Sequence, residues 1–521
     1  MPEANPLVMR VAPYLPDLPS YAGVGSDNIL NVVPRVGAPG AMGSPLSYGP
    51  IGTASGLYRA LGPNRCQGAV SFRDSADNTF LFAGDSEHLY TISATAWVIV
   101  GGFGGYTVAV ADTWRFAYFN GDVIATCFSD VPQVFTLIGG SSFAKLPGPP
   151  PQGKFIAVVK NAFVMFGNTF DPTNGNQPQR LWWSAAGDAR NWPTPGSIAA
   201  AAVQAGAVDL LGPDGDIMGI STGLLSADAV VFQEYGIKRV TYSGPPNVFS
   251  IAPVQNSVGC VASNSIVSVN GRVYYWGTNG IYEFDGSSAV AIGANRVDKT
   301  VYGNLDYSNL HRIVGAPDPI NKLIWWAYPS TQNVAGNPDK MLVYNWQLDC
   351  WSIANITCEY LVDLISIGYT LTQLETMFGF TIGTLPAPLD SPLWHGGTLN
   401  LGMFDTSHIL SFFTGSNMAA TVESIEAKPG AGRRTLIRAA RPMVDLDNDI
   451  ATPAVPSVAI GHRERQQDSV VYGPATAMTS FGTCPTRQSG RFVRAQLTMP
   501  SGALWTNIAG VEVEGISMGK R

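Results

Sequence analysis

The sequence predicts an all-β protein: a β-propeller of about six or seven blades with an extended N-terminal arm and a C-terminal β-sandwich. The first observation is a block at residues 264–293. Its three turns, Asn270-Gly271, Asn279-Gly280 and Asp285-Gly286, separate four short runs rich in β-branched and aromatic residues. Asn-Gly and Asp-Gly tolerate the positive φ angles of type I′ turns. The block therefore predicts a four-stranded antiparallel meander.

The second observation is that hairpin signals recur along the chain. Four of the five predicted turn centres fit a spacing of roughly 40 residues, which is typical of a propeller blade. These turns are Gly84-Asp85, Asn120-Gly121, Lys160-Asn161, Tyr235-Gly236 and Asn270-Gly271. The interval from 161 to 235 is nearly double, so either one blade is degenerate or residues about 168–226 are an insertion. A single sheet cannot bury both faces, and radial stacking solves this. We expect the propeller to span residues 61–416.

The third observation is a change in amino-acid composition and patterning at each end of the chain. Residues 1–60 are rich in Pro, Gly and Ser but carry apolar residues such as Tyr14, Tyr21 and Ile29. They predict an ordered arm that crosses a surface, with a disordered tail as the alternative. Residues 417–521 alternate as strands and carry more charge, which predicts a separate β-sandwich.

Composition narrows the class of function. Charged residues make up 13% of the chain, about half the usual share. Either neighbouring subunits cover much of the surface, or the chain is a large all-β protein with uncharged loops. The net charge of −7 argues against a protein whose main task is to grip nucleic acid. Residues 417–521 hold 12 Lys+Arg and 9 Asp+Glu, so this part is mildly basic.

No pattern in the sequence marks a catalytic centre. The six cysteines form no CxxC pair and the five histidines no metal-binding spacing, so we expect reduced thiols and no metal or cofactor. There is no GxSxG motif for a nucleophile elbow. The segment WWSAAGDARNW predicts a turn in which Asp188 accepts hydrogen bonds from backbone N–H groups. We therefore expect no enzyme. The N-terminus has no secretory pattern, and we expect no membrane insertion.

Arginines of the C-terminal part are the strongest charge feature. Acidic residues lie among them, which favours ion pairs with another subunit or partner over nucleic-acid contact. The candidate contact residues are Arg433, Arg434, Arg438, Arg441, Arg463, Arg465, Arg491 and Arg494.

Several segments together resemble the β-propeller tail hub proteins of short-tailed bacteriophages, which include the tail nozzle and the packaged-DNA stabilisation type. SDNILNVVPRVG (residues 26–37) is similar to the arm of that family, and RLWWSAAGDARNW (180–192) to its central tryptophan loop. The segment at 254–286 is similar to its blade that ends in a Gly-aromatic-x-aromatic strand. GHRERQQDS and SGRFVRAQL resemble strands of its terminal sandwich.

The resemblance implies a structural virion protein. Six copies would form a ring around the DNA-exit channel, below a portal-side adaptor. Other partners would be tail fibre, plug or needle proteins. Double-stranded DNA would pass through an acidic lumen without sequence recognition, and the protein would be assembled in the host cytoplasm into the phage tail. The family brings no catalytic residues. The alternative class is a carbohydrate-binding or glycan-hydrolysing propeller, which the tryptophan content favours.

Overall fold

The structure is a computed structural model, and nearly all of its regular elements are strands. It describes residues 5–36, 46–74, 76–93, 95–224, 226–378, 393–429, 433–446 and 455–518, with the single residues 381, 385, 387, 389 and 391. Helices within these ranges are short: Ile198–Ala202, Asp298–Gly303 and Leu371–Phe378, with 3-10 turns at Ser20–Ala22, Ser263–Ser265 and Tyr307–Arg312. No helix in the described part is long and apolar enough to cross a membrane.

Seven four-stranded antiparallel sheets follow one another along the described chain, and we number them ring sheets 1 to 7. Ring sheets 1 to 3 are Gly68–Arg73, Thr79–Gly84, Leu89–Ser93 and Ala96–Gly101; then Arg115–Phe119, Asp122–Cys127, Asp130–Thr136 and Ala144–Lys145; then Gln152–Val159, Phe163–Asp171, Gly175–Trp183 and Gly206–Asp209. Ring sheets 4 and 5 are Ile217–Ser221, Ala229–Gln233, Gly236–Tyr242 and Phe249–Asn256; then Val267–Val269, Arg272–Trp276, Ile281–Phe284 and Ala289–Ala291. Ring sheets 6 and 7 are Val314–Asp318, Leu323–Tyr328, Lys340–Asn345 and Cys350–Ala354; then Tyr360–Ile365, Leu399–Phe404, Leu410–Phe412 and Ser55–Gly56.

The ring sheets close on themselves. The first strands of successive sheets contact each other, and that of sheet 7 contacts that of sheet 1. Between sheets 4 and 5 the link is a hydrogen bond between the hydroxyls of Ser221 and Ser268. The outer strand of sheet 7, Ser55–Gly56, comes from the N-terminal end and pairs with Leu410–Phe412. This closed arrangement is consistent with a β-propeller.

Residues 168–226 do not form the insertion that the sequence predicted. They complete two strands of ring sheet 3 and supply its fourth strand, Gly206–Asp209, and they begin ring sheet 4. Two features lengthen the turn interval. The long loop between Trp183 and Gly206 carries the helix Ile198–Ala202, which separates the last two strands of sheet 3. In addition, the turn at 160–161 joins the first and second strands of sheet 3, whereas the turn at 235–236 joins the second and third strands of sheet 4.

The predicted meander corresponds to ring sheet 5, but its turns differ among themselves. Asn270 and Gly271 have φ of 55° and 71°, as a type I′ turn requires. At Asp285-Gly286 only the glycine has positive φ, because the Asp285 carboxylate accepts hydrogen bonds from the N–H groups of Ser287 and Ser288. Neither Asn279 nor Gly280 has positive φ.

Both chain ends build two further sheets, which we call the terminal sheets. The first contains Val32–Val36, Leu46–Pro50, Trp505–Ser517, Thr435–Leu446 and Cys484–Gly490, with Asn5–Arg10 paired to Trp505–Ser517. The second contains Ala420–Glu423, Phe492–Met499, Ser457–Arg463, Val471–Tyr472 and Thr476–Ala477. Side chains from both sheets share one apolar core with Trp276, Trp326 and Trp351 of ring sheets 5 and 6. Burying such large rings is a main source of folding free energy.

Candidate functional site

Six of the eight candidate arginines retain exposed or half-exposed side chains. Arg433, Arg438 and Arg465 are exposed. Arg434 and Arg491 both face Glu464, at 2.8 and 3.7 Å. The Nη1 atom of Arg441 lies 3.6 Å from a carboxylate oxygen of Glu512. Ion pairs this exposed contribute little to stability, so these side chains can exchange partners at a contact.

The other two candidates lie inside the chain, and here the structure corrects the expectation of a surface contact. The Arg463 side chain is 0% exposed, and its Nε lies 2.7 Å from Oε2 of Glu426. Arg494 is 6% exposed and lies 3.5 Å from both Glu423 and Glu426. A buried guanidinium needs a carboxylate partner, because an unpaired buried charge is very costly.

This buried ion network fixes the N-terminal arm to the terminal sheets. The carbonyl oxygen of Gly25 accepts a hydrogen bond from Arg494 Nη1 at 3.3 Å, and the Ser26 hydroxyl donates to Glu423. Burial raises the pKa of Glu423, while the Ser26 hydroxyl and Arg494 favour its charged form. Sequence reasoning missed the arm's part in the network, because Gly25 and Ser26 lie about 400 residues or more from their partners Arg494 and Glu423.

Large apolar side chains are exposed in loops and at one helix start, at positions that the sequence did not single out. The exposed fractions are 74% for Phe103, 91% for Ile198, 78% for Leu211, 78% for Val334 and 88% for Phe481. Single exposed apolar residues are common in proteins. Here they coincide with a surface that is poor in charge, so they are candidates for burial against another chain.

A cavity of about 680 Å³ lies between ring sheets 2 and 3. Trp182 lines it and is 8% exposed, and its indole N–H has no partner among the described residues. Arg180 lines the same cavity and holds Asp209 through two hydrogen bonds of 2.6 and 2.8 Å. Aromatic, cationic and carboxylate groups thus meet in one concave site.

Both carboxylates of this cavity stay ionised at neutral pH. The hydrogen bond from Arg180 lowers the pKa of Asp209. Burial alone would raise the pKa of Asp171, but hydrogen bonds from Asn174 and Thr173 leave it lowered. A glycosidase needs one carboxyl group with a raised pKa to donate a proton, and neither of these two meets that need.

The tryptophan loop adopts the predicted turn. The Asp188 carboxylate accepts a hydrogen bond from the N–H of Arg190 at 2.8 Å. The Trp192 ring is buried and stacks on Phe166, with ring centroids 5.2 Å apart. No group of three or more His, Cys, Asp or Glu side chains in the described ranges is arranged to hold a metal ion.

Comparison with known proteins identifies no family for this chain. No protein-family model matches the chain, and no curated protein matches it. Among solved structures, BBS1N in complex with ARL6DN aligns at TM-score 0.39 and 11% identity, covering 70% of this chain and 96% of that one. The Neurospora crassa Pan2 WD40 domain aligns at 0.37 and 8%, covering 69% and 97%. An ancestral GH74 enzyme aligns at 0.35 and 12%, covering 74% and 52%. These TM-scores are too low to support any inference from the aligned proteins, and the description of the fold rests on the strand pairing.

Proposed function

We propose that the chain is a structural protein of a bacteriophage tail, a hub or nozzle subunit. Six copies form a ring around the DNA-exit channel, below a portal-side adaptor, and dock other tail proteins. In this proposal each of the seven ring sheets is one propeller blade and the two terminal sheets form the C-terminal sandwich.

The observation that carries the proposal is the nature of the surface. Phe103, Ile198, Leu211, Val334 and Phe481 expose most of their side chains, while charged residues make up only 13% of the chain. Interface cores are depleted in charge and enriched in aromatic and apolar groups. A surface of this kind supports wide contacts between subunits.

The charge distribution supports the same role. The chain carries a net charge of −7, and six copies would surround a lumen with acidic protein. Phosphates are held by clusters of cations, so DNA would slide through such a lumen without sticking. Arg433, Arg438 and Arg465 are exposed in the mildly basic C-terminal part and are the side chains we assign to a partner contact.

The direct test is the oligomeric state of the full-length chain. Negative-stain images and mass photometry should give six-fold rings, either alone or after mixing with tail partners. Phe481→Asp and Leu211→Asp should lower the ring fraction at least tenfold, because each places a charge in a desolvated contact. Gln467→Asp adds the same charge at an exposed polar position and should assemble normally. A chain that stays monomeric at high concentration, alone and with tail partners, would refute the proposal.

A second candidate function is carbohydrate binding in the cavity between ring sheets 2 and 3. The observation in its favour is the unpartnered indole N–H of Trp182 beside the Arg180–Asp209 pair. The ionised state of both carboxylates favours binding over hydrolysis. A glycan array with a hydrolysis assay tests it: Trp182→Phe keeps an aromatic ring but removes the N–H donor, and should weaken any glycan signal. An array without signal would eliminate this candidate.

A further inference from the structure

Four basic side chains gather where first strands of the ring sheets begin. Arg115 is the first residue of Arg115–Phe119, and Lys154 lies near the start of Gln152–Val159. Arg312 ends the turn before Val314–Asp318, and Arg65 precedes Gly68–Arg73. We call these four residues the axial basic cluster. Because first strands contact each other around the ring, they line its axis.

Hydrogen bonds across the ring show that the cluster converges. Arg115 of ring sheet 2 donates to the side-chain oxygen of Asn264, which precedes ring sheet 5, at 2.5 Å. The Asn264 amide donates to the carbonyl oxygen of His311, beside ring sheet 6, at 3.0 Å. The axis is therefore narrow at this level, too narrow for a DNA duplex.

The cations have few partners of their own. Arg312 is 9% exposed and its Nη1 donates to Asn337 at 2.7 Å, but its buried Nε has no hydrogen-bond partner among the described residues. The neighbouring His311 Nε2 is likewise buried and unpartnered there. The Lys154 ammonium lies 5.9 Å from the centroid of the Phe155 ring. Arg115 stacks 4.6 Å from the centroid of the same ring.

Three carboxylates face the axial basic cluster, so its four cations outnumber the nearby negative charges. Glu359 is occupied by His408, at 2.9 Å, and by the N–H of Cys66. Asp112 accepts two hydrogen bonds from Ser129, both of 3.0 Å. Burial lowers the pKa of Lys154, and Asp112 and then Asp216 lie close enough to oppose that effect. Burial and the positive charges of Arg312, Arg65 and Lys154 lower the pKa of His311 to about 4, so the local field is positive.

We propose that the axial basic cluster is a binding site for a compact oxyanion of the phosphate class. Lys154 would donate to the anion's oxygens, and Arg115 and Arg312 would hold it through charge. The excess of positive charge marks the position, because Glu359 and Asp112 are already engaged by His408 and Ser129. The site belongs to one chain and does not depend on the proposed tail function.

The test is calorimetric titration of the full-length chain with inorganic phosphate, at constant ionic strength set by NaCl. We expect saturable binding to one site and a rise in the unfolding temperature with phosphate concentration. Lys154→Met should weaken binding at least tenfold, since a hydrogen bond to a charged group is lost. Arg312→Met should also weaken binding, because a positive charge beside the anion is removed. Lys299→Met removes an equal charge from an exposed position in the helix Asp298–Gly303 and should bind as the unchanged protein does.

Two further measurements test the proposal: folding of the Lys154 variant and the pKa of His311. Lys154 is only half-buried and holds no structural hydrogen bond that the structure shows, so its variant should fold even if Arg312→Met does not. Bound phosphate should also raise the pKa of His311, measured by NMR, because it neutralises the nearby cations. Absence of saturable binding in the unchanged chain, or equal binding by Lys154→Met, would overturn the proposal.

Discussion

At the scale of single residues, the chain buries charge where the two ends of the polypeptide meet and at one helix start. Arg463 and Arg494 share the carboxylates of Glu423 and Glu426. Asp298 is 9% exposed at the start of the helix Asp298–Gly303, and its carboxylate accepts a hydrogen bond from Ile281 N–H at 3.2 Å. These sites respond differently to substitution, because the arginines are paired, whereas Asp298 forms no ion pair within the described residues.

Replacing Arg463 should destabilise the protein strongly. Arg463→Met leaves the buried Glu426 carboxylate with only the longer contact to Arg494, at an expected loss of about 3–5 kcal/mol in the free energy of unfolding. Urea unfolding measures it. Arg465→Met, at an exposed position two residues on, should stay within about 0.5 kcal/mol of the unchanged chain. Equal midpoints for the two variants would contradict the buried pair.

Asp298 should make stability depend on pH between about 4 and 6. Burial raises the pKa of Asp298 to about 6, whereas an unfolded Asp titrates near about 3.9. The folded state binds the proton more tightly, so stability falls as pH rises through this window, by up to about 3 kcal/mol. Asp298→Asn keeps an acceptor for Ile281 N–H and should flatten this slope in thermal melts.

The matched control for Asp298 is Asp285→Asn. Hydrogen bonds from Ser288 and Ser287 lower the pKa of Asp285, so its removal should leave the slope between pH 4 and 6 unchanged. An identical slope in Asp298→Asn and the unchanged chain would rule out a raised pKa at this site.

At the scale of elements, closure of the ring depends on the strand Ser55–Gly56 and the segment that leads into it. The N–H of Thr53 donates to the carbonyl oxygen of Ser416 at 2.8 Å, and Gly52 bridges to Asn417. The N-terminal chain thus lies against the strand end of ring sheet 7 with no room between the two backbones.

Gly52 is where this closeness can be tested. A Cβ there would lie 2.7 Å from the carbonyl oxygen of Phe413 and 3.0 Å from that of Gly415. Both are backbone atoms, so Gly52→Ala should cost about 1–3 kcal/mol through overpacking. Gly104→Ala meets nothing within 4 Å and serves as the control. Equal thermal midpoints for both variants would exclude tight closure.

At the scale of the whole molecule, the arm and the C-terminal part form the terminal sheets together. Asn5–Arg10 pairs with Trp505–Ser517, and Asn31 N–H donates to Ile353 O of ring sheet 6 at 2.9 Å. The arm therefore connects the terminal sheets to the ring as well as to each other.

This construction predicts that residues 417–521 will not fold alone. That fragment lacks Asn5–Arg10, Val32–Val36 and Leu46–Pro50 of the first terminal sheet and the arm's contacts to Arg494. We expect no cooperative melt by circular dichroism, because unpaired strand edges and exposed apolar side chains remain. Joining residues 1–50 to the fragment through a flexible linker should restore a melt. A cooperative melt of the fragment alone would contradict the prediction.

The sequence predicted what depends on local pattern. The strands Arg272–Trp276 and Ile281–Phe284 agree with the predicted runs, because turn dipeptides and alternation act over a few residues. The closing strand Ser55–Gly56 could not be found, since its partner lies far along the chain. The burial of Arg463 was hidden for the same reason: its carboxylate partner belongs to another segment. The axial basic cluster combines residues at the starts of four separate sheets, and no residue of the cluster stands out within its own segment.

The outer strand of ring sheet 7 also sets the order of events during synthesis. Ser55–Gly56 leaves the ribosome early, but Leu410–Phe412 and the strands that pair with the arm are made hundreds of residues later. Domains generally fold as they are completed during synthesis. Here the ring cannot be completed before Leu410–Phe412 is made, nor the first terminal sheet before Trp505–Ser517 is made. A prematurely terminated chain would keep open sheet edges, so cellular quality control could recognise it before it entered an assembly.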